Sequence, residues 1–150
     1  MMKSCVIVDV DGTLAEFDPE AVKSWVLGDE KDWDSFFGYM HDALPVINIV
    51  KLVNHLAEKG EAIVICSGRP DSHKQHTLDW LDKHCIPYDD VYLRPQGRDA
   101  DYDASIKHDL LDEIRKNGYL PWLVLDDRTD VVNFWRDAGL TCLQVAPGDF

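Results

Sequence analysis

The chain has 150 residues and a mass of 17.1 kDa, enough for one domain with a sizeable core and too few for two ordinary ones. Its 15 basic and 28 acidic residues give a net charge of −13, which argues against a protein that coats nucleic acid, because phosphate-backbone binding requires Lys and Arg. The hydrophobic share of 45% excludes a disordered chain. No apolar run approaches the roughly 20 residues that span a bilayer.

The N-terminus and the cysteines indicate a cytoplasmic protein. Residues 1–8 contain only a short apolar run before Asp9, whereas a signal peptide needs a longer one, so we expect no secretion. None of the four cysteines stands at C-x-x-C spacing, and most lie in apolar runs, which is typical of buried thiols in a reducing compartment. The four are Cys5, Cys66, Cys85 and Cys142.

Short β-branched runs alternate with helical patterns along the chain, which predicts an α/β domain with a parallel sheet and crossover helices. The predicted strands cover residues 5–10, 61–66, 90–93, 122–125 and 141–145. Apolar residues at helical spacing predict helices over residues 46–57, around 78–81, over 104–116 and over 131–138. Because no linker or internal repeat interrupts this order, we expect a single domain over residues 1–150.

Residues 15–44 follow the first predicted strand and fit this alternation least well. The segment is acidic, and its aromatic residues are Phe17, Trp25, Trp33, Phe36, Phe37 and Tyr39. Two placements suit it: packing on the sheet, or a flap over the carboxyl ends of the strands, where open α/β sheets bind ligands. Its position directly after a strand favours the flap.

Four polar clusters follow the predicted strands and are expected to meet at the carboxyl edge of the sheet. They are Asp9-Val10-Asp11-Gly12-Thr13-Leu14, Cys66-Ser67-Gly68-Arg69-Pro70, Asp103-Ala104-Ser105-Ile106-Lys107 and Leu125-Asp126-Asp127-Arg128-Thr129-Asp130. Each alone has an ordinary explanation as a helix cap, a turn or a solvated charge. Together they indicate a site, because three carboxylates at one edge would repel one another strongly without a cation.

A hard divalent ion would balance the carboxylates of Asp9, Asp11 and Asp127, and Mg²⁺ suits ligands of this kind. The chemistry that such a site supports is phosphoryl transfer to a carboxylate. A nucleophilic Asp attacks phosphorus while the ion, a Lys and hydroxyl or amide donors neutralise the phosphoryl oxygens. A second Asp two residues further on can protonate the leaving oxygen and later deprotonate the attacking water.

These motifs, in this order and over most of the chain, resemble the haloacid dehalogenase superfamily of phosphotransferases. The resemblance implies a Rossmann-like, three-layer α/β/α fold with a small flap or cap insertion after strand 1. It implies that Asp9 is the nucleophile and Asp11 the general acid/base, and that Ser67 and Lys107 hold the phosphoryl group. The implied Mg²⁺ ligands are Asp9, the Asp11 carbonyl and Asp127, with Asp126 alongside.

Residues 126–150 resemble more narrowly the 3′-phosphatase domain of bacteriophage polynucleotide kinase/phosphatase, and residues 45–69 and 77–81 are similar too. That family removes 3′-phosphates and 2′,3′-cyclic phosphates from DNA or RNA ends during repair.

The narrower resemblance also implies roles for single residues. Arg69 and Arg94 become substrate contacts, and Asp103 becomes a carboxylate that orients Lys107. The complete predicted substrate-binding set is Thr13, Gly68, Arg69, Arg94 and Asp103.

Three functions remain open at this stage. The first is an Mg²⁺-dependent polynucleotide 3′-phosphatase without a kinase half, since no G-x-x-x-x-G-K-[ST] motif occurs. The second is a phosphatase of small phosphoesters such as mononucleotides, which the charge favours slightly. Either fits a site that reads one or two terminal nucleotides, with the aromatic residues of 15–44 available for base stacking. The third, a receiver-like signalling module, is disfavoured because it has no use for the acid at Asp11.

Overall fold

Five parallel strands form the centre of the computed structural model, which describes residues 2–28 and 30–150. The strands are β1 (Lys3–Val8), β2 (Ala62–Pro70), β3 (Asp90–Arg94), β4 (Tyr119–Asp126) and β5 (Thr141–Gln144). Their order across the sheet is β3-β2-β1-β4-β5, with Val6 of the central strand paired to Ile63 on one side and Leu123 on the other. All five predicted strands are confirmed, with ends that differ by a few residues.

Six helices accompany the sheet in the described part of the chain. They are α1 (Pro19–Val26), α2 (Trp33–Met40), α3 (Ile47–Glu58), α4 (Lys74–Lys83), α5 (Asp103–Lys116) and α6 (Thr129–Asp137), and a 3₁₀ turn over Asp71–His73 leads into α4. Helices α3 to α6 are the four that the apolar spacing predicts. No helix among these residues has the length and apolar composition needed to cross a membrane.

Both faces of the sheet are covered, so successive strand residues are buried on opposite sides. In β1, Val6 and Val8 contribute to one core, together with residues of α1 to α4. Ile7 contributes to the other core, under α5 and α6, where Trp135 is fully buried. The predicted three-layer α/β/α fold is therefore confirmed, and burial on both faces explains why the strands are continuous apolar runs.

The insertion between β1 and α3 forms α1 and α2, and its two ends lie side by side. Glu16 N donates to Leu44 O over 2.8 Å, and Val46 N donates to Leu14 O over 2.7 Å. Buried residues of α1 and α2 join the core on one face of the sheet, while other residues of the insertion line the cavity at the strand ends. The two placements considered for residues 15–44 are thus combined in one structure.

Candidate active site

A cavity of about 180 Å³ opens at the carboxyl ends of the strands, and all four predicted polar clusters reach it. The predicted site residues that line it are Asp9, Asp11, Ser67, Gly68, Arg69, Arg94, Asp103, Lys107, Asp126 and Asp127. Thr13 is the exception. Its side chain is fully buried, and its hydroxyl lies 3.4 Å from Asp127 Oδ1, so it supports a carboxylate of the site and does not face the cavity.

Asp9 follows the last residue of β1, where the strand leaves the sheet. Its backbone N–H donates to Leu125 O over 3.0 Å, which fixes the residue beside β4. Burial raises the pKa of the Asp9 carboxyl well above its usual range, the neighbouring Asp126 raises it further, and Lys107 only partly offsets the two. Asp9 therefore lies where added positive charge is needed to keep it ionised.

Lys107 extends from α5 into the centre of the site and is almost completely buried. Its Nζ donates to the Cys66 carbonyl over 2.7 Å, to Asp9 over 3.2 Å and to Asp126 over 3.3 Å. Burial alone would lower the pKa of Lys107, but Asp126 and Asp9 outweigh it, and the pKa is raised well above its usual value. Lys107 is thus a fixed positive charge next to the candidate nucleophile.

The acidic pair at the end of β4 has two different environments. Both Asp126 oxygens are engaged: Oδ1 accepts from Asp127 N over 2.8 Å, and Oδ2 accepts from Lys107 and from Trp135 Nε1. Asp127 is less enclosed by donors, and burial together with the charge of Asp126 raises its pKa to about 7. Asp126 is the anchored member of the pair, and Asp127 is the member that needs a cation.

Three carboxylates are close enough to share a metal ion. One oxygen each from Asp9, Asp126 and Asp127 lies within 4.8 Å of the others. Burial and mutual repulsion raise the pKa values of Asp9 and Asp127, which is the condition that a bound divalent cation relieves. An all-oxygen donor set of this kind fits Mg²⁺ by charge and by ligand type.

Asp11 is held by Arg69, which the end of β2 brings to the cavity. The guanidinium donates to both Asp11 oxygens, Nε over 2.9 Å and Nη2 over 2.6 Å, and its Nη1 donates to Thr77 Oγ1 over 3.2 Å. The rings of Phe36 and Phe37 lie 5.6 and 5.3 Å from its central carbon. Arg69, predicted as a substrate contact, therefore also fixes the predicted acid/base residue.

The last residues of β2, after Cys66, present a hydroxyl to the cavity and a backbone that another element approaches closely. Ser67 Oγ accepts from Arg69 N over 3.1 Å and lines the cavity. A Cβ on Gly68 would lie 2.8 Å from Asp103 Oδ1, so a side chain at this position would displace that carboxylate. The end of β2 therefore offers the Ser67 hydroxyl to a bound group and lets the start of α5 approach the backbone at Gly68.

Asp103 joins two arginines in this structure. Its Oδ1 accepts from Arg94 Nη2 and its Oδ2 from Arg128 Nη1, each over 2.5 Å. Lys107 takes its hydrogen-bond acceptors elsewhere, so the predicted orientation of Lys107 by Asp103 is not seen as a direct bond. Arg94 is 2% exposed, and it also donates to the carbonyls of Gly68, Arg98 and Asp101.

Several residues of the cavity were not assigned from the sequence. Arg128 lies in the fourth polar cluster, and its place directly after the acidic pair is a signal in the sequence that points to it. Lys31, Trp33 and Phe150 line the cavity from the insertion and from the last residue of the sequence. Nothing in the local sequence distinguishes Lys31 from an ordinary surface lysine.

This fold and site define a class of enzyme: α/β phosphatases in which an aspartate at the end of the first strand lies beside a buried lysine and an acidic pair. A family model described as the polynucleotide kinase PNKP phosphatase domain matches residues 3–150. The chain belongs to that family, and it is a phosphoric monoester hydrolase.

Chains in two solved structures of Pnkp1/Rnl/Hen1 complexes are similar to this one. A chain in the "Structure of Pnkp1/Rnl/Hen1 complex" is 27% identical with a TM-score of 0.82, over 99% of this chain and 47% of that one. A chain in the "Structure of the Pnkp1/Rnl/Hen1 RNA repair complex" is 28% identical with a TM-score of 0.79, over 99% and 44%. The present sequence thus spans less than half the length of these chains.

A class C acid phosphatase from Bacillus anthracis is similar at lower identity. Its TM-score is 0.64 at 14% identity, over 97% of this chain and 69% of that one. This likeness shows the fold alone.

Proposed function

We propose that this protein removes the 3′-phosphate from the ends of DNA or RNA strands, in an Mg²⁺-dependent reaction through an aspartyl-phosphate on Asp9. The observation that carries the proposal is the contact of a buried lysine with a buried aspartate beside an acidic pair, in a chain of the polynucleotide phosphatase family. One of the two similar structures is an RNA repair complex, which supports a nucleic acid substrate.

The charges around the cavity support a metal requirement. Among the described lining residues, five cations face six carboxylates, a formal balance of −1. An anionic phosphate would meet net repulsion there, and one divalent cation changes the balance to +1. Asp9 and Asp127 are the proposed carboxylate ligands, with the Asp11 carbonyl and Asp126 alongside. When bound, Mg²⁺ would neutralise charge on the phosphoryl oxygens.

The proposed reaction has two steps, formation of the aspartyl-phosphate and its hydrolysis. An Asp9 oxygen attacks phosphorus, the bond from phosphorus to the 3′ oxygen breaks, and Asp11 gives its proton to that oxygen. Water then attacks the aspartyl-phosphate, Asp11 takes a proton from it, and the bond from phosphorus to Asp9 breaks to release phosphate. Lys107 and Ser67 hold the phosphoryl oxygens in both steps. Arg69, which donates to both Asp11 oxygens, keeps Asp11 in position from the first step to the second.

A small phosphoester such as a mononucleotide is the second candidate substrate. The net charge of −13 supports it, because a long polyanion is repelled by such a surface. The cavity volume of about 180 Å³ is below the roughly 300–1,000 Å³ of clefts that enclose a whole drug-sized ligand, which suits entry of a phosphorylated terminus. A terminus can belong to a strand or to a single nucleotide, so the two substrates must be compared directly.

The test measures phosphate release from an oligonucleotide with a 3′-phosphate, its twin with a 5′-phosphate and a 3′-mononucleotide, each with Mg²⁺ and with EDTA. We expect strong preference for the 3′-phosphorylated oligonucleotide, loss of activity in EDTA, and at least a 1,000-fold loss in Asp9→Asn, roughly the effect of removing a nucleophile.

The matched control is Asp42→Asn, which changes an exposed aspartate outside the cavity and should retain full activity. Preference for the mononucleotide would replace the end-healing function by the second candidate. Full turnover by Asp9→Asn would remove Asp9 from its role as nucleophile.

A further inference from the structure

The insertion places one lysine inside the cavity of the active site. Residues 15–44 contain eight acidic residues and two lysines, Lys23 and Lys31. Lys23 lies in α1, pairs with Glu20 and does not line the cavity. Lys31 lies in the turn between α1 and α2 and lines the same cavity as Asp9 and Lys107. The insertion thus contributes positive charge to the site although its own composition is acidic.

Two other cations, Arg94 and Arg128, line the same cavity as Lys31, and both pair with Asp103. Burial lowers the pKa of Lys31, Arg94 and Arg128 lower it further, and Asp103 and Asp99 act in the opposite direction. Lys31, Arg94 and Arg128 are cavity-lining cations that we call the positive wall, and they differ from Lys107, which contacts the candidate nucleophile.

The three cations of this wall differ in how readily they can bind a ligand. Arg94 and Arg128 both form ion pairs with Asp103, and withdrawing either would leave a partly buried carboxylate with one partner less. Lys31 Nζ donates to the Gly28 backbone carbonyl, which a phosphate oxygen can replace without leaving a carboxylate unpaired. Lys31 is also only half-buried, so its ammonium group can be reached from the opening.

A nucleic acid strand and a mononucleotide differ in the group that would reach this wall. The 3′-phosphate of either substrate occupies the position beside Asp9 and Lys107. A nucleic acid strand contains a second phosphate, the diester that links its last two nucleotides. A mononucleotide has no such diester. A second cation near the opening therefore separates the two substrates by charge.

We propose that Lys31 binds the phosphodiester between the last two nucleotides of a 3′-phosphorylated strand and thereby favours strands over mononucleotides. This inference rests on the function proposed above and adds the residue that would distinguish its two candidate substrates. It assigns to the insertion a contact with the strand's phosphate backbone, in addition to its packing on the sheet.

The test compares a 3′-phosphorylated dinucleotide with the 3′-mononucleotide of the same base, in both ribose and deoxyribose forms. In Lys31→Gln we expect kcat/KM for the dinucleotide to fall by about tenfold, the order of one hydrogen bond to a charged group, and kcat/KM for the mononucleotide by less than about twofold. Lys23→Gln, the matched control in the same insertion, should change neither value.

Salt dependence gives a second readout that a merely structural role would not change. For a 3′-phosphorylated decanucleotide, the slope of log kcat/KM against log salt concentration should be smaller by about 0.7 in Lys31→Gln, the value for one phosphate contact on a single strand. Lys23→Gln should keep the slope of the unmodified protein.

The outcomes separate this inference from the proposed function. If the unmodified protein hydrolyses the mononucleotide and leaves the dinucleotide intact, the proposed function fails, and the inference fails with it. If it hydrolyses the dinucleotide and Lys31→Gln leaves the ratio of the two kcat/KM values unchanged, the inference alone is overturned. An equal loss on both substrates also overturns it, because that would indicate a general disturbance of the site.

Discussion

Gly12 shows how closely the backbone approaches the carboxylates of the site. Its φ is +85°, in the left-handed region, and a Cβ on it would lie 2.0 Å from Asp127 Oδ2. Two independent restraints, backbone conformation and space, therefore require glycine here. Asp127 can take its position only because the turn between Asp11 and Thr13 has no side chain at Gly12.

Gly12→Ala should impair both catalysis and folding. The new methyl group would displace Asp127, so we expect phosphate release to fall at least 100-fold, and an L residue at positive φ should lower the free energy of unfolding by about 2 kcal/mol. Urea unfolding and phosphate release measure the two effects.

Gly38→Ala is the matched control for that substitution. Gly38 lies inside α2 with no atom near the position of its Cβ, so alanine should raise the free energy of unfolding by about 0.5–1 kcal/mol and leave activity intact. Wild-type activity in Gly12→Ala would show that the turn and Asp127 are not coupled as described.

The sequence predicts which site residues meet at the edge of the sheet, but it does not predict which hydrogen bonds and ion pairs they form there. Asp9, Lys107 and Asp127 could be placed near one another because a parallel sheet brings the ends of its strands to one edge. Which carboxylate meets which cation depends on the spacing between separate elements, and the sequence does not define that spacing. Asp103 therefore pairs with two arginines where a contact to Lys107 was expected.

Among the elements, α1 and α2 were the ones not predicted, although their caps can be read from the sequence. Asp18 accepts a hydrogen bond from Glu20 N and is followed by Pro19 at the first turn of α1, and Asp32 accepts from Ser35 N at the start of α2. Both are standard helix-start signals. The apolar pattern did not reveal these helices because each has only eight residues, and in α2 the aromatic side chains are also divided between core and cavity.

The early part of β4 was missed for a different reason. The strand begins at Tyr119 and includes Pro121, a residue normally excluded from the interior of a sheet. The register of β4 against β1 shifts at this point, from the pair Cys5 and Pro121 to the pair Val6 and Leu123. An irregularity in pairing accommodates the proline, and such shifts have no signature in a single sequence.

The ion pairs of Asp103 connect three elements, since Arg94 ends β3, Asp103 begins α5 and Arg128 precedes α6. Asp103→Ala should lower the free energy of unfolding by about 2–3 kcal/mol, because the buried guanidinium of Arg94 would lose its carboxylate partner. Urea unfolding at neutral pH measures the change.

Asp101→Ala provides the comparison for Asp103. The Asp101 side chain pairs with Arg98 at the surface, and its loss should cost less than about 1 kcal/mol. Equal effects of the two substitutions would mean that the Asp103 pairs do not stabilise the junction of these elements.

At the scale of the whole molecule, the negative charge and the site impose different requirements. The net charge of −13 repels polyanions from most of the surface, while five cations are collected around one cavity. Six carboxylates line the same cavity, so an anionic substrate is favoured at its opening only when a divalent cation brings the formal balance of the described lining residues to +1. We infer that a protein of this charge can act on strand ends without binding along the length of a strand.

The same carboxylates should make the stability of the whole protein depend on pH and on metal together. The pKa of Asp127 is about 7 in the folded protein and that of Asp9 is also raised, so between about pH 4 and pH 7 the folded state binds more protons than the unfolded state. The contribution of these two carboxylates to stability without metal therefore falls as the pH rises through this window, and it outweighs the opposite contribution of His84, a single imidazole whose pKa burial lowers. Because Mg²⁺ binds the ionised carboxylates, its stabilising effect should grow in the same direction.

We therefore expect Tm in EDTA to fall from pH 5 to pH 8, and 10 mM Mg²⁺ to raise Tm by about 5 °C or more at pH 8 and by much less at pH 5. In 0.5 M NaCl, which screens the surface charges but not buried ones, the fall of Tm with pH and the effect of Mg²⁺ on Tm should persist. Asp127→Asn should reduce both the fall in EDTA and the effect of Mg²⁺, whereas Asp42→Asn, at an exposed position, should change neither. A Tm that rises with pH in EDTA, or an Mg²⁺ effect larger at pH 5 than at pH 8, would contradict the assignment, because protons and metal would then not compete for the same oxygens.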